Sequence, residues 1–223
     1  MPISHRARTN TERNQVADVI NAYRASSSPD AAFVALDETL FASARADYLL
    51  ARETWNQHDA ARTSANLAAA AADACFERDL RLFAASVRDN AGHATPRVVS
   101  ELLGGVLPSK LTRMSRRDGL KCAAALLDRL PQRTDLSYNT AHAEALKSSA
   151  EVLNAAVLTY EECDRTYLNA GDALSTARDA FDDAYARLLR AATSLLDTTT
   201  FTLIFPRFVR RNPKTDSAET ATP

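Results

Sequence analysis

Between Asp30 and Asn90 the chain has neither glycine nor proline, and between Ser137 and Asp197 the only such residue is Gly171. Within the second stretch a large apolar residue recurs every seventh position: Leu146, Leu153, Tyr160, Tyr167, Leu174, Phe181, Leu188 and Leu195. Three residues after each of the first seven comes a small one, in turn Ser149, Ala156, Cys163, Ala170, Ala177, Ala184 and Ala191. A seven-residue apolar repeat keeps one stripe of a helix facing a partner helix. The pattern therefore predicts a long helix with a seam that alternates large and small.

Moving the large positions back by 105 residues gives Phe41, Tyr48, Trp55, Arg62, Ala69, Phe76 and Phe83 in the first stretch. Only Arg62 breaks the apolar character outright. The small positions map to Ala44, Ala51, Ala65, Ala72 and Ser86, with His58 and Asp79 as departures. A short amphipathic segment precedes each stretch, VADVINAY from Val16 and CAAALLDRL from Cys122. An apolar-proline-basic junction follows each, VLPSKLTR from Val106 and IFPRFVRR from Ile204. Short helix, long helix, junction, twice over, describes an internal duplication whose period exceeds the ~20 to 50 residues of solenoid repeats.

The fold class expected is all-α: long antiparallel helices in a coiled-coil-like bundle, with internal duplication and short capping helices. The corresponding segments are 1–29 with a short helix, 30–90 as the first long helical segment, 91–136 as a connector with short helices, 137–197 as the second long segment, and 198–223 as junction and tail. A turn at Asn169-Ala-Gly171-Asp172 would make the second segment a hairpin, but a loop normally shifts the apolar phase and the phase here is unbroken. Continuous helices are the expectation. Arg62 and Asp164 face one another across such a pair, as an ion pair that selects register. Proline ends whatever precedes it, so Val106, Leu107, Leu111, Ile204, Phe205, Phe208 and Val209 are expected to cover the open end of the bundle. Gly104-Gly105 lets the chain turn before Pro108.

Composition agrees: 223 residues with 46% hydrophobic and 25% charged residues, only five glycines and abundant alanine, the best helix former. The three cysteines, Cys75, Cys122 and Cys163, show no CxxC spacing and are expected as buried, reduced thiols. No run of about 18 apolar residues and no signal-peptide core occurs, which makes a cytoplasmic protein the expectation.

Candidate chemistry changes this picture little. None of the glutamates has a histidine three residues on, and His5, His58, His93 and His142 lack a His or Glu four residues further on. The helical di-metal and zinc signatures are thus missing. GxSxG, P-loop and GxGxxG motifs are absent too. No cofactor is expected, and the chain is expected not to be an enzyme. Glu161, Glu162 and Asp164 read as a solvated helix face.

Charge is more informative. The net charge is −1, yet 30–90 holds ten acids and six bases, 137–197 ten acids and five bases, and 97–134 eight bases and three acids. Antiparallel long helices would then make an acidic shaft with basic ends. The candidate contacts for an anion or a partner are Lys110, Arg113, Arg116, Arg117 and Lys121, with Arg207, Arg210 and Arg211 near the C-terminus. The function expected is a structural or adaptor protein acting through protein–protein interaction or self-assembly. The alternative is an electrostatic binder of nucleic acid or anionic lipid through the basic segments, with nucleic acid less favoured because no aromatics interleave the cations.

Overall fold

A computed structural model describes residues 3–5, 7–111 and 113–209. Among them the protein is all-α, with eight α-helices and four two-residue strands. Two compact units form, Met1–Asn56 with Asn169–Pro223 and Gln57–Leu168. Helix α3 (Ala42–Ser86) and helix α7 (Thr140–Leu195) are each unbroken, and each contributes to both units. The second long segment is one continuous helix, as the unbroken apolar phase implies, whereas the first is interrupted at Phe41, where α2 (Ala31–Leu40) ends and α3 begins.

The first unit contains β1 (Ile3–Ser4), α1 (Asn10–Arg24), α2 (Ala31–Leu40), α8 (Thr198–Ile204) and β4 (Phe208–Val209), with parts of α3 and α7. A capping box starts α1: Thr9 accepts from the Glu12 N–H, and the Glu12 carboxylate accepts from the Thr9 N–H at 3.1 Å. Each orphan donor at the helix start is satisfied by the other residue. The buried face of α1, Val16, Ala17 and Ile20, joins Phe33, Phe41, Tyr48, Phe181, Leu188, Ile204 and Phe205 in one core. Phe41 meets Tyr185 at 5.5 Å, Tyr48 meets Phe181 at 5.0 Å, and Trp55 lies beside Gly171. Rising numbers on α3 thus meet falling numbers on α7, which makes the pair antiparallel. β1 pairs with β4 antiparallel, Ser4 opposite Phe208.

The second unit holds β2 (Arg88–Asp89), α4 (Pro96–Leu102), α5 (Pro108–Leu111), α6 (Arg116–Arg129), a 3₁₀ turn (Leu130–Gln132) and β3 (Leu136–Ser137), with the remaining parts of α3 and α7. Its core gathers Phe76, Leu80, Phe83, Val99, Leu102, Leu103, Ala123, Leu126, Leu146 and Leu153. Ser115 caps α6 by accepting from the Asp118 N–H at 3.2 Å. α1 packs beside α8 in the first unit as α6 packs beside α4 in the second. The buried frames of α1 and α6 also match at an offset of 106: Ala17 with Ala123, Ile20 with Leu126.

Every large seam position from Phe41 to Phe83 and from Leu146 to Leu188 is buried or half-buried. Leu195, by contrast, is 52% exposed. Arg62 and Asp164 do meet: Arg62 Nε stands 2.7 Å from Asp164 Oδ1, and the guanidinium stacks 4.5 Å over the Tyr167 ring.

Two expectations are corrected. The two proline junctions are not structural twins. Pro108 opens α5, whereas Pro206 lies in extended chain after α8. Both placements suit a residue without an N–H. Leu102 and Leu103 at the end of α4 are buried, as are Ile204 and Phe205 at the end of α8, while Leu107 is 46% exposed. Cys75 is exposed, because it lies off the seam of α3; Cys122 and Cys163 are half-buried, and all three are free thiols. Gly171 makes no turn, in keeping with the continuous helix expected there.

Gly104 and Gly105 do turn the chain, at φ 74° and 88°, donating to the Glu101 and Ser100 carbonyls at the end of α4. Gly171 has no such excuse for being glycine. A Cβ there would lie 3.8 Å from Trp55 Nε1, an ordinary contact. Gly171→Ala is therefore expected to stabilise the protein by about 0.5 to 1 kcal/mol, since alanine costs less to hold in a helix. A lowered melting temperature would count against this packing of Trp55.

Candidate interaction surface

The basic connector folds so that much of its charge is consumed internally. α6 lies against both long helices in the second unit. Arg116 reaches Asp73 of α3 at 3.4 Å and the Asn66 side chain at 3.3 Å. Arg117 makes a two-pronged ion pair with Glu161 of α7. This hydrogen-bonded pairing raises the Arg117 pKa and holds the Glu161 carboxyl below its ordinary value. Lys121 turns back to Asp118 at 3.2 Å, and the Asp118 carboxyl is lowered first by the Ser115 hydroxyl and then by Lys121. The acidic trio on α7 is likewise engaged: Glu161 with Arg117, Glu162 with Arg165, Asp164 with Arg62.

Lys110 and Arg113 differ from their neighbours. Both are exposed, and among the described residues neither has an ionic partner. They flank the turn where Leu107 and Met114 are 46% and 36% exposed. Arg207 is exposed beyond α8, and Arg210 and Arg211 lie outside the described residues. The eight candidate cations thus separate into three that take part in ion pairs, three exposed ones without an ionic partner among the described residues, and two that lie outside those residues.

A feature that sequence reading did not find lies between α6 and the first turns of α7. Here a groove of about 710 Å³ is lined by the apolar side chains of Leu120, Ala124, Leu127, Ala143 and Ala150, with Pro131 and Tyr138 also in its wall. Asp128, Glu144, Lys147 and Glu151 form its rim. A smaller neighbouring groove of about 270 Å³ shares Leu120, Ala124 and Asn154 with it and reaches Lys121 and Leu158. The core face of α6 is already provided by Ala123 and Leu126. Leu120 and Leu127 therefore make a second apolar face that the fold leaves half-buried. The signal for it was present in the run CAAALLDRL, which is too apolar for a helix with a single buried stripe.

Comparison with known proteins leaves the site to speak for itself. No family model, curated protein or solved structure matches the chain. Among the described residues no three His, Cys, Asp or Glu side chains gather as a metal site, and no helix is long and apolar enough to cross a membrane. What the surface offers chemically is apolar burial flanked by charge. Grooves of this kind receive amphipathic helices, whose apolar side chains fill the floor while charges settle on the rim.

Proposed function

We propose that this chain is a non-enzymatic helical structural or adaptor protein, acting through protein–protein interaction or self-assembly. The observation that carries this reading is the open apolar groove between α6 and α7. Exposed apolar side chains on the long helices support it further: Leu50, Leu67 and Leu82 of α3, and Val152, Leu158 and Leu168 of α7. Burying such groups is worth roughly 1.5 to 3 kcal/mol each, which supplies a driving force for association. The same proposal takes the two units as products of an internal duplication, their long helices joined by a coiled-coil seam. A cytoplasmic setting belongs to it as well, since three free thiols suit a reducing compartment.

The electrostatic reading keeps one specific support, the exposed Lys110, Arg113 and Arg207. Against it stands the engagement of Arg116, Arg117 and Lys121 by carboxylates. Five free cations would give a salt slope near −4.5 for duplex DNA, whereas three give about −3 or shallower, at roughly −0.9 per phosphate contact. Titration of labelled duplex DNA at several salt concentrations is expected to show binding no tighter than ~10⁻⁶ M at physiological salt. Nanomolar binding that Lys110→Glu with Arg113→Glu abolishes would replace the adaptor reading by the electrostatic one.

A further inference from the structure

In the second unit α6 and the start of α7 run antiparallel, since Arg117 meets Glu161 while Pro131 and Thr140 line one groove together. That groove takes Leu120, Ala124 and Leu127 from α6 and Ala143 and Ala150 from α7. Each set keeps the spacing of neighbours on one helix face. From Ala143 to Asn154 the groove follows about 16 Å of helix, or three turns, at ~1.5 Å per residue. Two helices that present adjoining apolar faces over this length make a bed for a third. In the first unit α1 buries Ala17 and Ile20 where α6 buries Ala123 and Leu126, yet at the positions matching Leu120, Ala124 and Leu127 it carries Asn14, Asp18 and Asn21. Packing such a helix does not require a second apolar face, and its presence on α6 calls for an occupant.

The charged side chains that line the same groove identify that occupant. Asp128 of α6 and Glu144 and Glu151 of α7 stand there with a single ammonium, that of Lys147. All four are exposed, and among the described residues none of them is in an ion pair. The neighbouring smaller groove adds Arg117 and Lys121, but Glu161 and Asp118 already hold these two. Three carboxylates against one ammonium leave a net charge of −2 around an apolar bed. Such a surface attracts a cation-bearing helix and repels an acidic one. A second copy offering the same groove would set that charge against itself, because a two-fold contact uses one patch twice.

We propose that the groove is the docking site for a basic amphipathic helix of a partner protein. The apolar side chains of that helix, three or four residues apart, rest on Leu120 and Leu127 of α6 and on Ala143 and Ala150 of α7. Ala124, Ala143 and Ala150 are small, which lets its backbone lie close to both helices. Lysine or arginine flanking the apolar stripe meets Asp128, Glu144 and Glu151. The inference rests on the adaptor branch of the proposed function, to which it adds the class of partner and the site.

Fluorescence anisotropy on the full chain tests it with two labelled helical peptides, one of leucine and lysine and the other of leucine and glutamate at the same leucine spacing. The lysine peptide is expected to bind at least about tenfold more tightly, since an interface favours opposite charges and penalises like ones. Glu144→Lys with Glu151→Lys leaves Asp128 beside three ammonium groups and should reverse the preference. Ala124→Arg, a change at an exposed position that spares the buried face of α6, should weaken binding of the lysine peptide at least about tenfold. Far-UV circular dichroism confirms that each variant folds. A preference that follows both variants in this way supports the proposal. Equal affinity for the two peptides, binding of neither, or lysine-peptide binding indifferent to Ala124→Arg or to the double reversal overturns it, and leaves the adaptor reading to the other exposed apolar faces. Sedimentation velocity separates two further outcomes. A dimer that Ala124→Arg dissociates makes a second copy the occupant, which overturns this inference but not the adaptor reading. A monomer that binds neither peptide and binds duplex DNA at nanomolar concentration overturns both.

Discussion

Replacing Asp37 by alanine is expected to lower the unfolding free energy by about 3 to 5 kcal/mol, the cost of leaving a buried charge without its counter-ion. Asp37 is fully buried. Its carboxylate takes both guanidinium nitrogens of Arg45, at 2.5 and 2.9 Å, and one of Arg24, at 2.7 Å. Arg24 also reaches Glu38 at 2.8 Å, and hydrogen bonding to Asp37 raises its pKa. Arg45 has no such second outlet: its side chain is only 7% exposed and rests 5.3 Å over the Phe41 ring. Removing the carboxylate strands that guanidinium. Replacing Asp37 by leucine and Arg45 by methionine together should cost much less than Asp37→Ala alone, because no unpaired charge then remains. Denaturant titration of the three proteins decides the matter, and a loss below about 1 kcal/mol for Asp37→Ala would place this pair with ordinary surface ion pairs.

This ion cluster also shows where sequence reading stopped. The heptad seam was legible because burial along α3 and α7 follows a fixed period, and the same phase placed Arg62 opposite Asp164. What the period does not reveal is the bend at Phe41, whose φ of −135° ends α2 before α3 begins. Positions eight apart on a straight helix are separated by about 12 Å along the axis. The bend brings Asp37 and Arg45 within ion-pair distance. In the linear sequence they look like any charges on a solvated face. The positions 105 residues on are His142 and Ala150, which cannot form such a pair, and there α7 is unbroken. The same bend accounts for Leu195. In the antiparallel register that sets Phe41 beside Tyr185, the positions beyond Leu188 look towards residues before Phe41, where α3 has already given way to α2.

Much the same holds for the candidate site. Local composition marked the basic connector as a candidate, but which of its cations are paired depends on Asp73 and Glu161, more than forty residues away in each case. No periodicity within the connector contains that information. The groove is non-local too: its floor needs Leu120 and Leu127 on α6 beside Ala143 and Ala150 on α7. The clue available locally was an excess of apolar residues over what one buried stripe requires.

Phe181→Ala and Phe76→Ala are each expected to cost about 3 to 5 kcal/mol, because truncating an aromatic ring in a close-packed seam leaves a cavity as well as losing burial. The two occupy matching heptad positions in different units and are 0% and 3% exposed. Phe181 should be the more expensive. Its ring packs against Phe41 at 4.8 Å with an interplanar angle of 73°, and against Tyr48 at 5.0 Å. Such pairs add about 0.5 to 1.5 kcal/mol beyond burial. Phe76 has the backbone of Gly119 close to its Cε1, where a Cβ would lie 4.0 Å away, so a small helix movement can reclaim part of that cavity. Because α3 and α7 run unbroken through both units, each substitution should shift one common unfolding transition rather than split it in two. Denaturation followed at once by far-UV circular dichroism and by fluorescence of Trp55, which belongs to the first unit, reads both points. Coincident curves with Phe181→Ala costing more than Phe76→Ala support the shared seam. A Phe76→Ala curve that leaves the Trp55 transition in place would mean that the two units unfold independently and that continuity of the long helices does not couple them.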